Sequence, residues 1–172
     1  MLSRHAISVT AVSVLLGSLA CGSGGDTAPG TFNVDFPTPA AAIATSTIQV
    51  FAYPTTIFEG GAAGSCQSII EQRRTGTLSS TPTASSASET PCGLLKGSGQ
   101  IALPFGNYAF LAVGQQTENG ASSDLLLGCA EQTISNSNTV VVIPLSLANE
   151  MVSVPTTHCG TLSQSCSSGG SC

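Results

Sequence analysis

The chain has 172 residues, and its four Lys and Arg residues stand against nine Asp and Glu residues, which gives a formal net charge of −5. So few cations cannot neutralise a run of phosphates, and we therefore exclude nucleic acid as a partner and a polybasic patch as a means of membrane binding. The length corresponds to one domain, and the sequence beyond residue 20 contains no apolar run long enough to span a bilayer.

The first 20 residues have the features of a secretory signal peptide. Arg4 provides the charged start, residues 6–16 form an apolar stretch, and Ser18 and Ala20 occupy the two small positions of a cleavage site. The apolar stretch is too short to cross about 30 Å of hydrocarbon as a helix. We therefore predict that residues 1–20 are a signal peptide, which is removed from the mature chain.

Cys21 directly follows this segment and is the candidate for lipidation. Leu19, Ala20 and Cys21 resemble the last three positions of the bacterial lipobox, although Ser18 stands where leucine is more usual. This resemblance implies that a diacylglyceryl group is attached to the Cys21 sulfur, and Gly22 after the cysteine implies an outer-membrane destination. The alternative is cleavage by an ordinary signal peptidase, which would leave Cys21 free and the protein secreted or periplasmic.

Six of the seven cysteines remain when Cys21 is set apart. An even number in an exported chain is typical of disulfides in an oxidising compartment. The disulfide candidates are Cys66, Cys92, Cys129, Cys159, Cys166 and Cys172. Many pairings are open, and the one we favour joins Cys66 to Cys92, Cys129 to one tail cysteine, and the other two tail cysteines to each other.

The patterns along the mature chain predict a tether, one β-domain and a tail. Residues 21–30 are rich in glycine, which predicts a flexible tether. Residues 31–150 hold alternating apolar and polar runs and are predicted to form the β-domain. Residues 151–172 are predicted to be a disulfide-rich C-terminal tail.

The first half of the domain mixes strand, connector and helix patterns. Alternation predicts strands over 31–36 and 47–53, the second with both faces covered. Residues 37–46 contain two prolines and are interpreted as a connector. The one short helix is predicted over 65–74, with two arginines at its C-terminal end. Residues 77–91 lack periodicity and predict a polar loop.

The second half predicts further strands separated by short polar turns. Strands are predicted over 108–113, 125–134 and 139–147, and turns at 104–107, 117–124 and 135–138. The first of these turns is interpreted as joining Ile101 and Leu103 to the next strand in a hairpin. Pro144 cannot donate to a ladder, which predicts that the last strand lies at an edge or that Pro144 lies at its frayed end. Together the strands predict an all-β fold, an antiparallel β-sandwich.

The run "LPFGNYAFLAVG", followed by "LLLGCAEQTI" and "TVVVIPL", resembles transthyretin-like and carboxypeptidase-regulatory-like β-sandwich modules. The resemblance covers residues 97–147, and 31–53 more loosely. The whole chain is similar to uncharacterised bacterial lipoproteins that combine such a sandwich with a cysteine-rich tail. The resemblance implies a structural, adhesive or accessory role and assigns no catalytic residue.

The mature chain offers few groups for catalysis or metal binding. His158 is its one histidine and Lys96 its one lysine, and no G-x-S-x-G motif is present. A zinc site of His158 with tail cysteines is disfavoured, because His158 and Cys159 are adjacent and a Cys-x-x-Cys pair is missing. Glu118, Asn119 and Asp124 lack the calcium-loop pattern. We expect no catalytic site, no metal and no cofactor.

A glycosidase would need a pair of carboxylates, and the candidates are Glu118, Asp124, Glu89 and Glu131. The chain has no Trp and few aromatic residues on which a sugar could stack, so we expect these acids to be isolated on the surface. Two functions follow as hypotheses. The first is a lipid-anchored envelope protein that acts as a structural or interaction module, with the membrane as partner through its lipid. The alternative is a secreted or periplasmic binding module for a small ligand, peptide or glycan, with loops 77–91 and 117–124 as the binding region.

Overall fold

The computed structural model describes the chain at residues 27–55, 65–97, 99–136, 140–149, 154 and 159–168. Seven strands and four helices lie within these residues. The strands are β1 (Thr27–Asp35), β2 (Thr47–Pro54), β3 (Ala84–Ser85), β4 (Gly99–Pro104), β5 (Gly106–Glu118), β6 (Ala121–Ile134) and β7 (Val140–Leu147). The helices are α1 (Pro39–Ala44), α2 (Cys66–Arg74), α3 (Pro91–Lys96) and α4 (Leu162–Ser167).

The strands form one sheet in the order β3-β2-β5-β6-β7-β1-β4. All neighbours are antiparallel except β1 and β7, which run parallel. The two end strands, β3 and β4, lie close together, so the sheet curls in a barrel-like manner. The β-rich fold is thus confirmed, but the sheet is mixed and continuous where the sequence predicts an antiparallel sandwich, because β7 joins its two parts.

Apolar side chains from both parts of the sheet fill the interior of the curl. Phe32 of β1, Leu103 of β4, Phe110 of β5 and Ile143 of β7 are all fully buried there. In β1, β4 and β7 the buried positions alternate with exposed ones, as the sequence pattern predicts. Burying side chains of this size contributes about 1.5–3 kcal/mol each, so the interior is the main stabilising element.

Helix α2 covers the opposite, outer face of β5 and β6. Its fully buried Ile69 belongs to a second apolar cluster with Tyr53, Ala109, Leu111, Val113, Leu127 and Ala148. The prediction that the strand over 47–53 has both faces covered is confirmed at Tyr53, which is buried in this cluster, and in part at Phe51, which is half-buried against it. The helix predicted over 65–74 is also confirmed, and the Ser65 hydroxyl caps it by accepting a hydrogen bond from the Ser68 N–H at 3.4 Å.

Strand β7 changes partner half-way along its length. Residues 140–144 pair with β1, and residues 145–147 pair with β6. The prediction of an edge strand is wrong, because β7 lies between β6 and β1 in the sheet. The alternative, a frayed strand end, fits only locally: Pro144 is the last residue of the ladder with β1, but β7 continues to Leu147. The missing N–H is tolerated because Pro144 stands where one ladder ends and the other begins. Gly128 of β6 permits this close approach, since a Cβ there would collide with the Pro144 carbonyl oxygen and lie 2.9 Å from Leu145 Cδ2.

The hairpin predicted around residues 104–107 does not form. Strand β4 pairs with β1, whereas β5 pairs with β2 and β6. The connection at Phe105 therefore leads from the end of the sheet to its middle. Alternation has the same form whether a strand pairs with the next one or with a distant one, so the pattern could not distinguish the two arrangements.

The turn predicted within residues 117–124 is confirmed. Asn119 and Gly120 have φ values of 51° and 80°, and Glu118 pairs with Ala121 on either side of them. An Asn-Gly pair is typical of a two-residue hairpin connection, because both residues adopt positive φ at low cost. The turn predicted at 135–138 lies partly outside the described residues.

Two segments interpreted as irregular contain regular structure. The connector over 37–46 holds α1, which Thr38 caps and which begins with a proline, a favourable residue in the first turn. The segment 77–91 includes β3 and runs along β2, where the Ser86 hydroxyl accepts a hydrogen bond from the Val50 N–H at 3.0 Å. Helices α3 and α4 also begin at threonine caps, so the described residues hold four short helices where one is expected.

The ends of the domain also differ from the expected boundaries. Strand β1 begins at Thr27, inside the segment predicted to be a tether, and pairs with β4 from its first residue. At the other end, α4 lies in the segment predicted as tail and packs against α1 and α3. The domain therefore uses residues from both flanking segments.

The favoured pairings of Cys66 with Cys92 and of Cys129 with a tail cysteine are wrong. Cys66 is bonded to Cys129, and Cys92 is bonded to Cys166, with Cα–Cα distances of 5.3 and 5.5 Å. The first bond forms because α2 packs on β6, which brings the first residue of the helix beside the strand. The second joins α3 to α4. Both pairings follow from helix packing, which the spacing of the cysteines does not reveal.

Candidate functional site

A polar cleft lies at the C-terminal end of α2. It has a volume of about 460 Å³ and is lined by Arg73 and Arg74, by Asp124 and Leu127 of β6, and by residues 147–149 at the end of β7. Among the described residues it brings together both arginines of the helix and a carboxylate from a distant strand. It is the strongest candidate for a binding site in this part of the chain.

Arg73 and Asp124 form a bidentate ion pair in this cleft. Arg73 Nε donates to Asp124 Oδ2 at 2.7 Å and Nη2 donates to Oδ1 at 3.1 Å. Gln115 Nε2 also donates to Oδ1, at 3.2 Å. The hydrogen bond to Asp124 raises the pKa of Arg73 above its ordinary value, and burial partly opposes this. The Arg73 side chain therefore acts as a fixed link between α2 and β6.

Tyr53 lies next to this ion pair on the covered face of the sheet. Burial raises the pKa of its hydroxyl above the ordinary value, and the positive charge of Arg73 partly opposes the shift. The phenol consequently stays protonated over the neutral range and contributes no negative charge to the cleft. The charge of the cleft is therefore set by the two arginines and Asp124.

Arg74 is held differently from Arg73. Its Nε donates to the Ala148 carbonyl at 3.0 Å and its Nη2 to the Leu147 carbonyl at 3.5 Å. In the described parts of the chain the recorded salt bridge is that of Arg73 with Asp124, and none involves Arg74. The side chain is exposed to solvent. Because Asp124 balances Arg73, the cleft carries one positive charge in an otherwise acidic protein.

The acidic residues singled out from the sequence are engaged in separate contacts. Glu131 accepts a hydrogen bond from the Cys66 N–H at 2.9 Å, and Glu118 accepts one from Gln116 Nε2 at 2.6 Å. The described residues contain no group of three or more His, Cys, Asp or Glu side chains that could hold a metal ion. The structure thus does not gather these acids into one site.

The remaining predicted site residues lie outside the cleft or outside the described part of the chain. Cys66, Cys92, Cys129 and Cys166 form the two disulfides described above, and Cys159 is also disulfide-bonded. Cys21, the lipidation candidate, lies outside the described residues, and so do His158 and Cys172. Lys96 lies at the end of α3, away from the cleft.

The sequence pattern does not indicate the cleft, because its lining residues are distant in the chain. Arg73 and Arg74 were interpreted only as favourable charges at a helix C-terminus, and Asp124 as part of a loop. A usable signal exists, because two of the few cations are adjacent on one helix. Of the two loops expected to bind a ligand, 117–124 contributes Asp124 to the lining, whereas 77–91 does not line the cleft.

Comparison of the chain with known protein families, curated proteins and solved structures finds no match. Within the described residues, none of the helices has the length and hydrophobicity needed to cross a membrane.

Proposed function

We propose that the chain is a lipid-anchored protein of the outer membrane of a bacterial cell envelope, and that it acts as a non-catalytic structural or interaction module. The signal peptide over residues 1–20 directs export, Cys21 carries the lipid, and the β-domain faces the aqueous side. The relation of the curled sheet to transthyretin-like and carboxypeptidase-regulatory-like modules is part of this proposal. The shared interior of β1, β4 and β7 with β2, β5 and β6 supports it.

The observation that carries the proposal is the state of the cysteines. Cys66, Cys92, Cys129, Cys159 and Cys166 are disulfide-bonded, which is compatible with an oxidising compartment outside the cytoplasm. Two of these bonds join elements that are distant in sequence, with separations of 63 and 74 residues. To Cys21, at the lipobox-like position, the proposal assigns the lipid instead of a disulfide.

The position of β1 fits an anchor at Cys21. The strand begins at Thr27, so the five residues between them span at most about 20 Å when fully extended. Thr27 pairs with Pro104, close to the start of β5, whereas the arginine cleft lies where β5 runs into β6. An anchored domain would therefore present the cleft at the end away from the lipid.

Replacement of Cys21 by serine tests the anchor. We expect the unaltered chain to fractionate with membranes and the Cys21→Ser variant to be released, while Ser23→Ala, a change two residues further on, stays with membranes. Mass spectrometry of the intact mature protein without reductant measures both properties at once. An N-terminus other than residue 21, no acyl mass and reduced cysteines would contradict the proposal.

A secreted or periplasmic binding module for a small ligand, peptide or glycan is the second candidate. The cleft at Arg73, Arg74 and Asp124 favours it, since a solvent-accessible cation beside apolar surface is a common element of ligand sites. The two candidates are separated by the acyl mass at Cys21. Both leave the cleft available for a partner.

A further inference from the structure

We propose that the arginine cleft binds a monoanionic carboxylate that carries a short aliphatic group, such as the C-terminal end of a peptide that finishes in a small apolar residue. The proposal deepens the interaction role proposed above by naming a ligand class for a particular site. It stands on three features of the cleft: the hydrogen-bonding capacity of Arg74, the charge balance and the apolar wall.

Arg74 retains N–H donors whose geometry suits a planar acceptor. A guanidinium has five N–H donors, and the two hydrogen bonds of Arg74 to carbonyl oxygens use its Nε and one N–H of Nη2. Donors remain on both terminal nitrogens, in the fork geometry that matches a carboxylate. The two carbonyl contacts also hold the side chain against the end of β7, which reduces the entropy lost on binding.

The charge of the cleft favours a single negative charge. Arg73 is already neutralised by Asp124, with which it makes two hydrogen bonds. Arg74 contributes the remaining positive charge, and Asp124 in the same lining would repel a second negative charge. A carboxylate therefore fits this site better than a doubly charged phosphate.

The wall beside Arg74 provides the apolar part of the site. Leu127, Leu147 and Ala148 line the cleft together with the charged groups. Leu127 is fully buried in the outer cluster and Ala148 is 7% exposed, so the half-buried Leu147 offers most of the apolar surface that a ligand can contact. This wall accommodates an aliphatic group of a few carbon atoms, because a volume of about 460 Å³ must also hold the carboxylate and water.

The experiment titrates the full chain with N-acetyl-Ala-Ala and, as a matched ligand, with its C-terminal amide. Once the signal peptide is removed, Arg73 and Arg74 are the arginines of the chain, so two arginine Nε–H signals are observed by NMR. We expect saturable shifts of the Arg74 signal with the carboxylate and none with the amide. Inorganic phosphate, as a second probe, is expected to bind at least several-fold more weakly.

Arg74→Gln should abolish saturable binding, measured by calorimetry and by the backbone signals of residues 147–149. Lys96→Gln, which removes the same charge outside the cleft, should leave it unchanged. Arg74→Lys keeps the charge without the fork and should weaken binding about tenfold or more; thermal unfolding of each variant verifies that it is folded. Equal binding of the amide or of phosphate, or retained binding by Arg74→Gln, would overturn the proposal.

Failure of this inference and failure of the proposed function are distinguishable. The titration reports on the cleft whether or not Cys21 carries a lipid, and the acyl mass reports on the anchor whether or not the cleft binds a ligand. A non-acylated chain that binds the carboxylate would retain this inference and remove the anchor. An acylated chain that fails the titration would do the reverse.

Discussion

The two parts of the sheet differ in the number of faces that they bury. The covered half, formed by β2, β5 and β6, buries its inner face in the core. Helix α2 covers the outer face of β5 and β6, and Tyr53 of β2 is buried in the same outer cluster. The open half, formed by β1, β4 and residues 140–144 of β7, buries only its inner face. Val113 on the outer face of the covered half is 2% exposed, whereas Val140 and Val142 of the open half are 50% and 51% exposed.

The difference shows that the outer face is buried where one helix, linked to the sheet by one disulfide, packs on it. Helix α2 is a short helix and would be marginal in isolation. It is held on the covered half by the Cys66–Cys129 bond at its first residue and by the Arg73–Asp124 pair at its end. Helix α2 is thus linked to the sheet at both ends, and the arginine cleft forms at the end that carries the ion pair.

Removing the Cys66–Cys129 disulfide should have the largest effect on stability. We expect Cys66→Ala with Cys129→Ala to lower the free energy of unfolding by about 4 kcal/mol, because a cross-link of this sequence separation restricts the unfolded chain. Amide hydrogen exchange in α2 should also lose its protection, since the helix depends on its contacts with the sheet. Urea unfolding and hydrogen exchange measure the two effects.

The second disulfide provides the control for this prediction. Cys92→Ala with Cys166→Ala removes a bond of similar sequence separation that joins α3 to α4. The loss of stability should be similar, but α2 should exchange only through global unfolding. If the amides of α2 remain protected from exchange up to global unfolding without the Cys66–Cys129 bond, then this disulfide is not what holds α2 on the sheet.

The junction of the two halves should be the next most sensitive position. We expect Gly128→Ala to cost about 3 kcal/mol, at the upper end for overpacking, because the new Cβ collides with backbone atoms of Pro144 rather than with a movable side chain. Gly97→Ala is the matched control, since Gly97 has an extended φ of −173° and no atom lies within 4 Å of an added Cβ. Similar midpoints of urea unfolding for the two variants would show that β6 and β7 do not approach this closely at Gly128.

Gly128 also illustrates how much of the fold could be predicted. Local features, such as the strand alternation, the Ser65 cap and the Asn119-Gly120 turn, were visible because each depends on neighbouring residues. The choice of strand partners was not, because β4 and β7 present the same alternation whichever neighbour they pair with. The close approach of Gly128 to Pro144 depends on that choice, so no local pattern indicates it.

The candidate site follows the same division. The end of α2 near Arg74 was predictable from capping and charge. The meeting of Arg73 with Asp124, 51 residues further along the chain, depends on which strand the helix covers. The polar spacing of residues 117–124 therefore indicated a hairpin but not the ion pair that one of them forms.

A matched pair of valines measures the comparison directly. We expect Val113→Ala to cost about 2 kcal/mol, because it removes buried methyl groups beneath α2 and leaves a cavity. Val142→Ala should change the free energy of unfolding by no more than about 0.5 kcal/mol, because that side chain is half exposed. Equal losses in urea unfolding would mean that the outer face of the open half is covered in the folded protein.

The smallest expected effect is a dependence of stability on alkaline pH. The chain has two tyrosines, Tyr53 under α2 and Tyr108 in the interior, and each is 5% exposed. Burial raises the pKa of both hydroxyls above the ordinary value of about 10. In the unfolded chain these groups lose their protons near pH 10, whereas the folded chain retains them to higher pH.

Unfolding therefore releases protons above pH 10, and the free energy of unfolding falls as the pH rises from that value through the folded-state pKa values. Below pH 10 both states are protonated and the contribution vanishes. Tyr53→Phe should remove the part of this decline that comes from the covered face, and Tyr108→Phe the part that comes from the interior. The measurement is urea unfolding at pH 8 and pH 11 for the unaltered chain and each variant. If Tyr53→Phe leaves the alkaline decline unchanged while Tyr108→Phe reduces it, then α2 does not exclude water from the outer face, and the distinction between the two halves fails at the Tyr53 hydroxyl.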